Sequence, residues 1–204
     1  SPSRRQRQMC IRDRVPVAEL ATRQANLAEM LAAAGLPGAL IQHPVDLYYY
    51  AGGRQDGSLF VPAKGYGGSE EAGGDGPVAF VRRSLRRATW EAGGDDAPHR
   101  IVAFPRLSRL AETLQSEGVD QAPALQLSET PGTFSARFAS ALSVLGTCGD
   151  ATGVIHRQRE VKSAWELEQM EVGASVQIRM FEAVHAVGGE GVSAVSYTHL
   201  TLPT

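Results

Sequence analysis

Histidine, cysteine and clustered carboxylates are the side chains that could do chemistry in this chain. The histidines are His43, His99, His156, His185 and His199. No two follow the H-x-x-x-H or H-x-x-E-H spacing that puts paired metal ligands on one helical face. Hydrogen-bonded structural histidines are therefore the expectation. Of the two cysteines, Cys148 sits in LGTCGD without a nucleophile signature and reads as a small residue near a loop. Carboxylates gather only in glycine-rich loops and on the outer side of the last helix. No G-x-S-x-G, phosphate-binding loop, CxxC or dinucleotide fingerprint occurs. These residues alone predict a soluble α/β domain with no active site, bound metal or cofactor of its own.

Two stretches remain as candidate surfaces. The first is VDLYYYAGGRQD, where Tyr48, Tyr49, Tyr50, Arg54 and Asp56 could form a substrate mouth or an interface. Exposed aromatics and arginine are enriched at contact sites. The competing reading packs the tyrosines under the sheet. The second is RRSLRRATWEA, residues 82–92, a helix with four arginines that is either a solvated face or an anion or partner contact. The loop AKGYGGSEEAGGDG at 63–76 reads as a solvated linker, because its acids would repel phosphate and no strand-to-helix context surrounds it.

The elements that position these residues alternate. A helix over 17–34 carries Leu20, Leu27, Leu31 and Ala34 on one face and stops at Gly35 and Pro37. Strands are expected at 38–42, 58–61, 77–81, 100–104, 124–127 and 153–156. Helices are expected at 45–52 (a helix or a turn), 82–92, 107–114, and from an N-cap at Thr133 to Gly146. The strands at 58–61 and 77–81 form a hairpin with an enlarged tip. Mostly one-for-one alternation with one hairpin predicts a three-layer α/β/α sandwich with a mixed sheet. A long helix follows. Ser163 and Glu166 have capping-box spacing. Leu167, Met170, Ala174, Ile178, Phe181 and His185 share one face, and Gly188 and Gly189 end the run.

The two ends carry a separate signal. Residues 4–13 and 195–204 can be encoded by reverse-complementary codons without a break, for example Met9 (ATG) against His199 (CAT). Residues 1–14 and 195–204 are accordingly expected to be translated adapter. The whole chain carries 20 Lys+Arg and 22 Asp+Glu, a net charge of −2. Setting aside five arginines and one aspartate of the leading tail leaves 15 basic against 21 acidic groups. An acidic body argues against a nucleic-acid partner. No apolar run long enough for a membrane span occurs. Cys148 has no internal disulfide partner once Cys10 is assigned to the tail, which suggests a reducing, cytoplasmic setting.

Order and spacing of motifs resemble a known family. VDLYYYAGGRQDGSLFVPA followed by GPVAFVRRSLRRA is similar to the N-terminal domain of creatinase, prolidase and Xaa-Pro aminopeptidase proteins. Arg159-Glu160-Val161-Lys162-Ser163, then Glu166-Leu167, Met170 and Ala174, resembles the segment joining the two domains in that family. The resemblance implies an N-terminal domain over 15–160 and a linker helix with the start of a catalytic domain over 161–194. It also implies a catalytic domain further on, holding two divalent ions, manganese or cobalt, and acting on peptide substrate, usually in a homodimer. None of that domain's ligands can be matched here. Val45, where the family often has Asn, and the long loop at 63–76 depart from the family pattern. A stand-alone or pseudo-enzyme binding module is the alternative from another class. A creatinase-like hydrolase or a dimethylsulfoniopropionate lyase would keep the fold and change the chemistry.

Overall fold

The computed structural model describes residues 14–66 and 76–187. The chain divides into two units, Ser1–Glu160 and Val161–Thr204.

In the first unit, helix α1 (Val17–Ala33) buries Leu20, Leu27 and Leu31 at helical spacing. Gly35, at φ 68°, turns the chain so that Leu36 N–H can return to Leu31 O. Strand β1 (Gly38–Ile41) is buried at all four positions. Pro44 starts α2 (Pro44–Ala51), where its fixed φ suits the first turn and its missing N–H is not needed. Gly52 ends that helix at φ 74°, and a Cβ there would meet Leu20 Cδ1 at 2.9 Å. Strands β2 (Gly57–Pro62) and β3 (Val78–Val81) form the expected hairpin. The central part of its connection, residues 67–75, lies outside the described residues. Helix α3 (Leu85–Ala92) crosses to β4 (Arg100–Ala103), which runs parallel to β3.

The sheet order is β1-β2-β3-β4, with the first two pairings antiparallel and the third parallel. It is the mixed sheet the alternation predicts. Single parallel bridges at Ala39–Ala124 and Leu125–Asp150 extend it beyond β1 in place of the strand expected at 124–127. Alternation along each strand sends side chains to two cores. Ile41, Leu59, Val61 and Val81 meet Leu27, Leu31, Tyr50 and Ile155 on one face. Leu40, Phe60, Val78 and Phe80 meet Leu110, Leu114, Phe138 and Leu142 on the other. The second face is covered by α4 (Leu110–Ser116), entered through a 3-10 turn at Leu107–Arg109, and by α5 (Gly132–Leu142).

Three local expectations are corrected. Residues 153–156 are not a strand but part of α6 (Thr152–Glu160). Asp150 Oδ1 accepts from the Thr152 N–H at 2.9 Å and the Thr152 hydroxyl at 2.5 Å, and this local cap turns the short apolar run into a helix. Burial pushes the Asp150 carboxyl up, but these donors, with Leu127 N–H, hold it below its ordinary range. The helix expected at 82–92 begins at Leu85, after Ser84 at φ 58°, so Arg82 and Arg83 lie on the turn. Thr133 is not a cap, because α5 already starts at Gly132 behind Pro131.

In the second unit, α7 (Ala164–Val187) starts from the reciprocal cap read in the sequence. Glu166 N–H donates to Ser163 Oγ at 3.1 Å, and Ser163 N–H donates to Glu166 Oε2 at 2.9 Å. Taken by itself, α7 exposes Leu167, Met170, Ile178 and Phe181, each by more than half. The stop at Gly188 and Gly189, residues 1–13 of the leading tail and the whole trailing tail lie outside the described residues.

His99 links the core to pH. It is 7% exposed, and its Nδ1 accepts from Gln24 Nε2 at 3.0 Å. Burial lowers its pKa to about 4. The unfolded chain, with histidine near the ordinary ~6.5, therefore takes up a proton first as pH falls. Stability from this residue is complete above that value and is lost as pH drops towards 4, by roughly 2–3 kcal/mol at most. Urea unfolding from pH 7 to 4 should show a weaker pH dependence in His99→Gln than in wild type.

Candidate functional site: the tyrosine helix and its buried carboxylate

Consecutive residues on a helix stand about 100° apart, so three tyrosines in a row cannot share one face. Tyr48 points outward and is 38% exposed. Tyr50 is fully buried, and its hydroxyl donates to Gln158 Oε1 at 2.9 Å. Burial raises its pKa well above the usual phenol range. Tyr49 is half-buried, edge-on to Tyr50 at 4.8 Å between centroids. The Arg23 guanidinium covers its ring at 4.0 Å, with that of Arg159 at 5.8 Å. Arg54 and Asp56 are exposed, and Asp56 pairs with Arg82 at 3.4 Å. The expected surface therefore divides. Tyr48, Arg54 and Asp56 lie on it; Tyr50 is a core residue, and Tyr49 is largely covered by arginine.

Behind the tyrosines stands Asp46, on the same helix and with no exposure. Its Oδ2 accepts from Gln126 Nε2 at 2.6 Å and faces His43 Nδ1 at 3.1 Å. Its Oδ1 accepts from the Arg159 guanidinium at 2.7 Å. Gln126 Oε1 in turn accepts the backbone N–H groups of Gln42 at 2.8 Å and His43 at 3.0 Å. One carboxylate thus ties the end of β1, the first turn of α2, the Ala124–Gln126 segment and the last turn of α6. Further out, Glu129 holds His156 Nε2 at 2.7 Å and stands 4.0 Å from His43 Nε2. Gln158 bridges the Tyr50 hydroxyl and Arg23 O, the latter at 2.8 Å.

Chemically, this arrangement positions rather than reacts. Asp46 has its oxygens occupied by a guanidinium, an amide and an imidazole, and solvent does not reach it. A general base needs an open path to the proton it takes. Among the described residues, no three His, Cys, Asp or Glu side chains converge as a metal-ligand set.

Sheet order, two-sided helix cover and the buried clamp define a mixed-sheet α/β domain. The model of the Creatinase/Prolidase N-terminal domain matches residues 23–161, and the chain belongs to that family. Its fold is similar to the dipeptidase PepE from Mycobacterium ulcerans, with a TM-score of 0.69 at 24% identity over 90% of this chain and 48% of that one. It is likewise similar to an Xaa-Pro dipeptidase from Bacillus anthracis, with a TM-score of 0.69 at 15% identity over 87% of this chain and 46% of that one. The prolidase from Pyrococcus horikoshii OT3 gives a TM-score of 0.64 at 13% identity over 86% and 46%. The chain spans about half the length of each. A comparison with curated proteins gives no match.

Sequence reasoning had Asp46 and Arg159 inside its two best motifs but did not join them. They are 113 residues apart, and nothing local announces the pair. The available signal was an acid in the first turn of a helix that is otherwise apolar and aromatic. Asp46→Ala should lower stability by about 2–4 kcal/mol, because it removes the buried carboxylate to which Gln126 and the part-buried Arg159 donate. Tyr50→Phe should cost only about 1 kcal/mol, the value of one hydrogen bond. Urea denaturation of both variants checks the ranking.

Proposed function

We propose that this chain is the N-terminal domain of a metal-dependent Xaa-Pro peptidase and that it serves dimerisation and active-site access rather than bond cleavage. The observation that carries this reading is the family match over residues 23–161. Similarity in fold to proteins described as a dipeptidase, an Xaa-Pro dipeptidase and a prolidase supports it. In this reading a catalytic domain beyond α7 would hold two divalent ions, manganese or cobalt, which would supply water activation and carbonyl polarisation. The apolar side chains that α7 exposes fit a helix with more protein to pack against. Tyr48, Arg54 and Asp56 would then border the peptide mouth or the dimer contact. Among the described residues no helix is long and apolar enough to cross a membrane. Cys148, the one cysteine among the described residues, is free, which suits a cytoplasmic enzyme.

The test uses the full-length protein and an Xaa-Pro dipeptide. Hydrolysis should require manganese or cobalt, and the present chain alone should show none. Arg54→Ala in the full-length enzyme should raise KM or weaken the dimer while stability stays at the wild-type value. Wild-type KM and wild-type dimer dissociation together would remove this surface from the proposal. Metal-dependent hydrolysis by the present chain would refute the non-catalytic role.

A further inference from the structure

Residues 82–110 contain seven arginines and three acids, a surplus of four positive charges in a chain of net charge −2. The rest of the chain therefore carries −6. The fold places five of these arginines at one edge. Strands β3 and β4 are parallel neighbours with Val81 opposite Ala103, so both C-terminal ends open on the same side. Arg82 and Arg83 leave β3 there, with Arg86 in the first turn of α3. Arg106 and Arg109 follow β4, where a groove of about 690 Å³ is lined by Pro105, Arg106, Arg109, Glu112, Thr113 and Ser116.

Some of these arginines have internal work. Arg82 pairs with Asp56 and lies 4.0 Å over the Phe104 ring. Arg87 pairs with Glu91 at 2.8 Å, and Arg100 pairs with Glu117. Arg83, Arg86, Arg106 and Arg109 are exposed and form no ion pair among the described residues. On the helix that carries Arg86, Leu85 is 41% and Trp90 47% exposed, and Trp90 follows Arg86 by one helical turn.

We infer that this edge is a docking surface for an acidic segment of a partner protein, with Trp90 and Leu85 receiving an apolar side chain from it. Four unpaired like charges on one edge repel each other and add nothing to the fold. Opposite charge on a partner relieves that repulsion and steers its approach. Arginine with tryptophan is the composition of protein contact sites. A long phosphate backbone suits the edge less well, because beyond the patch it would run against the surplus acids of the rest of the chain.

Fluorescence anisotropy with a labelled polyglutamate peptide tests the assignment, alongside a single-stranded oligonucleotide of equal charge. The peptide should bind, weaken as NaCl is raised, and lose about tenfold in affinity when Arg83, Arg86, Arg106 and Arg109 are changed together to Gln. Arg157→Gln, on α6, should leave binding unchanged, and the oligonucleotide should bind more weakly than the peptide. Circular dichroism establishes that the fourfold variant is folded. Were that variant unfolded, charge reversal by Arg86→Glu and Arg109→Glu singly would carry the same test. Absence of peptide binding, peptide binding indifferent to these arginines, or an oligonucleotide that binds as tightly would each overturn the proposal.

Discussion

A carboxylate with no access to water must be held by donors, because its desolvation otherwise costs several kcal/mol. Asp46 meets that requirement with donors from three parts of the chain. The Arg159 guanidinium, the Gln126 amide and the His43 imidazole converge on it. Each can do so only if its own element is in place. The apolar cores tolerate small shifts of a helix along the sheet, since burial is not directional. The clamp does not, because its hydrogen bonds fix distance and angle. It therefore sets where the tyrosine helix stands relative to β1 and to the last turn of the first unit.

Consequences extend to both sides of the clamp. With α2 fixed, Tyr50 fills the core, Tyr49 stacks beneath Arg23, and Tyr48 is left at the surface beside the loop carrying Arg54 and Asp56. With α6 fixed, Arg159 stands immediately before the segment that leads to the reciprocal Ser163–Glu166 cap and α7. A buried pair is weak evidence of net stabilisation, since an apolar replacement of equal shape can do as well. Its contribution here is geometric. The arginine-rich edge at β3 and β4 is built differently, from exposed charges of which Arg83, Arg86, Arg106 and Arg109 form no ion pair among the described residues.

Much of the architecture was legible in the sequence because it rests on local signals. The helical periodicity along α1, the strand pair of the hairpin and the Ser163–Glu166 cap are all signals between near neighbours in the sequence. The run at 153–156 was misread because four apolar-rich residues have no period of their own. The deciding interaction came from Asp150, two residues ahead of the helix. The candidate site was legible in part. Its tyrosines and exposed Arg54 stand out by type, but helical geometry turns Tyr50 inward, and the pairing of Asp46 with Arg159 and Gln126 is a product of the tertiary fold.

The claim that one buried carboxylate locks α2 to α6 is a claim about coupling, and a double-mutant cycle measures coupling directly. Stabilities of wild type, Asp46→Asn, Arg159→Met and the double variant, from urea unfolding at neutral pH, give the interaction energy. The clamp predicts that the double variant is more stable than the sum of the single losses by about 2 kcal/mol, within the range for groups in one network. Additive losses, to within about 0.5 kcal/mol, would mean that Asp46 and Arg159 act independently and would contradict the account.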